Sequence, residues 1–209
     1  MASMLRLRQL ARAAFALNAG HRGARLPPLI LMTDEIRLKD PVAAVRALPQ
    51  GAAVILRHTD KDARALLARR LKPIVRARGL LLLISGDAPL AAGIGADGLH
   101  LPELRAREAA HFKGCRPSWL ITVAAHSLRG LAVARRSGAD AAILAPVFAT
   151  ASHRDRVPLG PARVRMIAAA IPIPVYALGG VDARNAGLLK GAGIAGIAAI
   201  GALAPGQSE

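Results

Sequence analysis

Val175-Tyr-Ala-Leu-Gly-Gly-Val181, followed fourteen residues later by Gly196-Ile-Ala-Ala-Ile-Gly-Ala202, decides the fold. Each stretch is an apolar, β-type run that ends in glycine, and about one helix separates the two. Such a pair reads as parallel strands whose C-terminal loops expose backbone N–H groups. Near the end of a (β/α)8 barrel these loops form the usual phosphate site. The expectation is a chain that holds a small phosphorylated molecule.

Upstream, the same alternation repeats. Strand-like runs fall at Pro28–Thr33, Ala52–Arg57, Leu80–Ile84, Asp97–His100, Leu120–Val123 and Ala141–Leu144, and the last two at Val175–Leu178 and Ile197–Ile200. Helical spacing appears over Pro41–Leu48, Asp60–Leu71 (ending before Pro73), Pro89–Ile94, Glu103–Phe112 and Leu128–Ser137. Eight apolar strands alternating with helices predict an α/β protein, a single-domain (β/α)8 TIM barrel over residues 27–209. An open doubly wound sheet is the alternative, disfavoured because no G-x-G-x-x-G follows the first strand.

Bulk composition narrows the function classes. The chain has 209 residues, enough for one sizeable core, and a single cysteine, Cys115, which excludes an internal disulfide and a multi-cysteine zinc site. No run of about 18 apolar residues offers a membrane span, and a cytoplasmic protein is expected. The net charge of +16 suggests nucleic acid, but the 29 Lys and Arg are scattered and aromatics are only 2%, so stacking platforms are few. No nucleic-acid partner is expected. Residues 1–26 carry Arg6, Arg8, Arg12, Arg22 and Arg25 without an acid. They read as a basic extension, an amphipathic helix covering the bottom of the barrel or fraying, with an organellar transit peptide as the alternative.

In a barrel, functional residues lie just past the C-terminal strand ends. Those positions hold Thr33 and Asp34; Arg57, His58 and Thr59; Ser85, Gly86 and Asp87; His100 and Glu103; and His126 and Ser127. Pro146, Thr150, Ser152, His153, Gly179, Gly180 and Gly201 complete the ring.

The ordered set Leu31-Met-Thr-Asp34, Ile55-Leu-Arg57, Gly95-Ala-Asp-Gly-Leu-His100, Ala125-His-Ser127, Gly138-Ala-Asp140, Pro146-Val-Phe148, Ala177-Leu-Gly-Gly180 and Gly196-Ile-Ala198 resembles the thiamine-phosphate synthase/TenI family. The resemblance runs from about Pro27 to Leu203. It implies a barrel that handles thiamine's thiazole phosphate; synthase members join that thiazole to a hydroxymethylpyrimidine diphosphate with Mg²⁺. Gly179, Gly180 and Gly201 stand on the implied thiazole-phosphate side, where a missing Cβ lets backbone N–H groups approach an anion. Arg57, Ser85, Thr150, Ser152 and His153 stand at other implied substrate-binding positions.

The metal side of the resemblance is mostly lost. The synthases' Asn-Asp after the third strand is Ser85-Gly86, and their second metal-binding Asp falls on Arg105. Neither glycine nor a guanidinium supplies the anionic oxygen a hard divalent ion needs. Asp87, one residue late, is a disfavoured substitute, since it would have to coordinate beside Arg105. Two synthase lysines are Thr59 and His153, and a synthase serine is Ala124. This pattern, with Leu101-Pro102 after strand four, is similar to TenI-type members, some of which isomerise a thiazole carboxylate phosphate. His126 matches their acid/base histidine, and an imidazole can take and return a proton near neutral pH. It equally reads as a hydrogen-bonding loop residue.

These readings place a TenI-like, metal-independent thiazole tautomerase first, with His126 catalytic and no cofactor. A thiamine-phosphate synthase, for which Mg²⁺ would be the cofactor, is the alternative. A non-catalytic carrier or regulator of the phosphorylated thiazole is a further one, and a homo-oligomer is compatible with all three.

Overall fold

The computed structural model describes residues 2–20, 26–150 and 157–203. Its elements run α1 (Ala2–Ala19), β1 (Leu29–Met32), α2 (Pro41–Ala47), β2 (Ala53–Leu56), α3 (Lys61–Ala77), β3 (Leu81–Ser85), α4 (Ala88–Gly93) and β4 (Gly98–Leu101). After a 3₁₀ segment (Glu103–Glu108) come α5 (Ala109–Cys115), β5 (Leu120–Ala125), α6 (Leu128–Arg136), β6 (Ala141–Leu144), α7 (Gly160–Ala170), β7 (Val175–Ala177) and β8 (Gly196–Ala199). The strands are all parallel and close in sequence order, β8 pairing with β1 through Leu29↔Ile197 and Leu31↔Ala199. The expected TIM barrel is the observed fold, and all eight strands begin or end within two residues of their predicted bounds.

Alternation of side chains across each strand divides the core in two. Ile30, Met32, Ile55, Leu83, Ile143 and Tyr176 fill the barrel interior, while Leu29, Leu31, Val54, Leu82, Ile121 and Val123 face the helices. The interior is filled by pairing a large residue with a small one. Tyr176 lies opposite Gly196, and its hydroxyl donates to the Pro27 carbonyl at 2.7 Å. A Cβ at Gly196 would sit 2.2 Å from the Pro28 carbonyl oxygen and 3.0 Å from Tyr176 Cε1, so only glycine fits there. Acidic or hydroxyl side chains start the helices: Asp40, Asp60, Asp87 and Ser127 accept from the N–H groups of Ala43, Ala63, Leu90 and Gly130. Each cap also fixes where its preceding rim loop ends.

Four local expectations are corrected. Helix α3 does not stop before Pro73 but runs through it to Ala77. Leu67, Leu71 and Val75 bury one continuous stripe, and that packing outweighs the roughly 3 kcal/mol a mid-helix proline costs. The helix expected over Glu103–Phe112 is split into the 3₁₀ segment and α5. Between β7 and β8 there is no full helix but a 3₁₀ turn, Ala186–Leu189. The space this leaves is taken by α1, which packs against β8, β1 and that turn, so it lies alongside the barrel wall instead of across its base. Leu7, Leu10 and Ala14 are its buried face, and Asn18 Nδ2 donates to the Ala195 carbonyl at 2.6 Å. Arg6, Arg8 and Arg12 point to solvent. No helix among the described residues is long and apolar enough to cross a membrane.

Candidate active site

Because all strands are parallel, Arg57, Ser85, His126, Thr150, Gly179, Gly180 and Gly201 lie at one end of the barrel. Ser152 and His153 lie outside the described residues, as does His21.

Gly179 and Gly180 take φ of +93° and +64°, a backbone conformation open to glycine. Their missing side chains also admit the loop after β6. A Cβ on Gly179 would come 3.1 Å from Pro146 Cβ and 3.4 Å from the Thr150 methyl; on Gly180 it would come 2.4 Å from the Ala149 carbonyl oxygen. The Phe148 N–H donates to the Gly179 carbonyl and Asn185 Nδ2 to that of Gly180. Both glycine carbonyls are thus tied down. Among the described residues no backbone carbonyl accepts from the N–H of Gly179 or Gly180. Thr150 thus stands beside Gly179, and two consecutive backbone donors follow β7, with Gly201 opening the 3₁₀ turn after β8.

Arg57 is half-exposed and donates through Nη2 to Asp34 Oδ2 at 2.6 Å; its own N–H donates to Thr33 Oγ1. Asp34 also accepts from the Arg37 guanidinium and from the N–H groups of Ile36 and Arg37. Burial alone would raise the Asp34 carboxyl, but these donors and the Arg37 charge hold it well below the usual carboxylate range. Ser85 ends β3 opposite His100. His100 is buried inside the barrel with Nδ1 2.9 Å from Thr122 Oγ1, and burial, aided by Arg57, lowers its pKa to about 4. Burial thus favours its uncharged form.

His126 follows β5, and its Nδ1 pairs with the carboxylate of Glu103. Sequence reading placed Glu103 on the rim without that partner. The sequence held one trace of it in Gly130 of α6, where a Cβ would stand 2.2 Å from Glu103 Oε1 and push the carboxylate aside.

At the end of β3 the donor set does not fit a hard divalent ion. Asp87, the possible substitute ligand, spends Oδ1 on the Leu90 N–H and Oδ2 on Arg64 Nη2 at 2.7 Å. Although burial would raise the Asp87 carboxyl, the Leu90 N–H and the Arg64 guanidinium hold it below its ordinary value. Arg105 donates through Nη1 to the Gly86 carbonyl at 2.8 Å and pairs with Glu108 through Nε and Nη2. A cation therefore lies where a metal-binding carboxylate would be needed. Among the described residues, no three of His, Cys, Asp or Glu gather closely enough to hold a metal ion.

Comparison with known proteins matches residues 29–203 to the family described as thiamine monophosphate synthase. The thiamine-phosphate synthase of Chlorobium luteolum is 37% identical over 187 residues, covering 87% of each chain. That of Herpetosiphon aurantiacus is 33% identical, over 83% of this chain and 86% of its own. Among solved structures, the thiamine phosphate pyrophosphorylase of Pyrococcus furiosus superposes with a TM-score of 0.68 at 26% identity, over 84% of this chain and 86% of that one. These relatives overturn the ranking that put a tautomerase first: their names are those of synthases, and none of them supports an isomerase. The chain belongs to the thiamine monophosphate synthase family, a family of enzymes.

Proposed function

We propose that the protein is a thiamine-phosphate synthase, a transferase that joins a phosphorylated thiazole to the methylene carbon of a hydroxymethylpyrimidine diphosphate. The thiazole nitrogen forms the new C–N bond, the C–O bond to the diphosphate breaks, and diphosphate departs with the electron pair. The observation that carries the reading is similarity along nearly the whole barrel to relatives bearing that name. The rim of Gly179 and Gly180 beside Thr150 supports it locally, since two backbone N–H groups without a competing carbonyl suit the thiazole's phosphate.

Arg57 and Thr150 sit at synthase substrate positions, and Gly201 extends the phosphate rim. Ser85, at the C-terminal end of β3, is assigned to the second substrate. His126, held by Glu103, orients a ring at the mouth; with both substrates present the reaction needs no proton from it. No step is assigned to a divalent ion, because the residues around Gly86 do not fit one.

The test is direct. Incubated with both substrates, the protein should form thiamine phosphate, read by chromatography after oxidation to a fluorescent product, with one diphosphate released per turnover. Absence of product above buffer, from protein whose circular dichroism is that of a folded barrel, sinks the reading.

A further inference from the structure

We propose that the cleft between α3, α4 and α5 is a metal-free diphosphate site, in which Lys61, Arg64, Arg105 and Arg116 take the place of a divalent ion. The inference rests on the synthase reading for the source of the diphosphate, but not for the existence of the site.

The cleft follows from a short element. Helix α4 spans only Ala88–Gly93, too short to cover the wall between its neighbours, and a cavity of about 590 Å³ opens beside it. One end of the cavity reaches Gly86 at the rim, and its floor reaches Trp119, just before β5. Four basic side chains line it, against one carboxylate, Asp87. Asp87 is matched by Arg64, and Glu108, outside the lining, is matched by Arg105. Among the described residues of the lining, two positive charges stay uncompensated after both acids are counted.

The three arginines are also positioned in advance. Arg105 is fixed by Glu108 and the Gly86 carbonyl, and Arg64 by Asp87 and the His58 carbonyl. The Arg116 guanidinium lies 5.5 Å from the centre of the Trp119 ring. Arg64 Nε is buried without a hydrogen-bond partner, a donor whose burial is costly unless something accepts from it. Planar guanidinium groups present paired donors that match phosphate oxygens. A diphosphate carries several negative charges on two linked phosphates, so it can span cations spread along a cleft where a single phosphate cannot. A metal-using site reaches the same neutralisation with carboxylates around an ion. Here the nearby carboxylates, Asp87 and Glu108, are each held by an arginine, and the excess positive charge is covalently part of the chain.

Trp119 is the single tryptophan, so its fluorescence reports on this cleft alone. Titrating the full-length protein with inorganic diphosphate in excess chelator should give a saturable change, matched by calorimetry. Adding Mg²⁺ in place of chelator should alter the affinity by less than about twofold. Arg105→Gln and Lys61→Gln should each weaken binding about tenfold, since each removes one charge-assisted contact. Arg163→Gln, on the exposed side of α7, should leave it unchanged.

The proposal is overturned if millimolar diphosphate produces neither fluorescence change nor heat in chelator, if binding appears only with Mg²⁺, or if Arg105→Gln binds as well as the parent. Failure of the synthase reading looks different: diphosphate binds without metal, yet the two substrates yield no thiamine phosphate.

Discussion

The Glu103 carboxylate pairs with Nδ1 of His126, joining the segment after β4 to the loop after its neighbour β5. The pair fixes which ring nitrogen faces the carboxylate and leaves Nε2 as the nitrogen not engaged by Glu103. Its geometry depends on a third residue, Gly130, whose missing side chain leaves the carboxylate its space.

Gly130→Ala should therefore dislodge Glu103 while costing little stability. The built Cβ meets the far end of a flexible side chain, and alanine gains up to about 1 kcal/mol over glycine inside a helix. We expect a net change within about 1 kcal/mol in urea denaturation, with loss of the slowly exchanging Nδ1 proton of His126 in NMR spectra. Retention of that proton in the variant would refute the link.

Gly180→Ala and Gly193→Ala should behave differently although both glycines have positive φ, +64° and +70°. At Gly193 no atom lies within 4 Å of the added methyl, whereas at Gly180 the Ala149 carbonyl oxygen is 2.4 Å away. Gly193→Ala should cost about 1 kcal/mol for its left-handed backbone. Gly180→Ala should cost at least about 2 kcal/mol more through the clash, or move the loop after β6 and weaken phosphate binding. Equal midpoints for the two variants in thermal unfolding would contradict this.

Acid sensitivity has a defined source in His100. Its folded pKa of about 4 lies below the ordinary histidine value of 6.5, so between these values the unfolded chain binds the extra proton. Stability from this group is complete above about pH 6.5 and is lost as pH falls toward 4, by no more than about 3 kcal/mol. His100→Gln, which keeps a hydrogen-bonding side chain toward Thr122, should flatten the stability profile across that window. An unchanged slope would show that other groups set it.

Asp34→Asn should cost about 1–2 kcal/mol, because the amide replaces charge-assisted bonds to Arg37 and Arg57 with neutral ones. The folded carboxyl is held below its unfolded value, so its contribution is present above the unfolded pKa and disappears as pH falls beneath it. The variant and the parent should converge in stability at strongly acid pH. A constant gap at all pH values would mean that packing, not ionisation, accounts for the difference.

Removing residues 1–19 should destabilise the barrel by at least about 3 kcal/mol, since Leu7 and Leu10 each bury a side chain worth about 2 kcal/mol. A truncated protein with an unaltered melting temperature would make α1 a separable appendage instead of part of the helix ring.

The contribution of the sequence and that of the tertiary structure divide along a physical line. Apolar runs of strand length, their spacing and the polar residues at their ends are local properties, so the eight strands, the barrel and the rim positions of Arg57, His126, Gly179 and Gly180 were legible in the chain itself. Function was less legible. Subtracting metal ligands one by one favoured an isomerase, while similarity summed over residues 29–203 favours the synthases. Pairings between loops depend on strand register and on the direction in which each loop leaves the rim, which short-range pattern does not encode. Only the folded barrel could bring Glu103 to His126, Arg64 to Asp87 and Arg105 to Gly86, or seat α1 beside β8 where a full helix after β7 is missing.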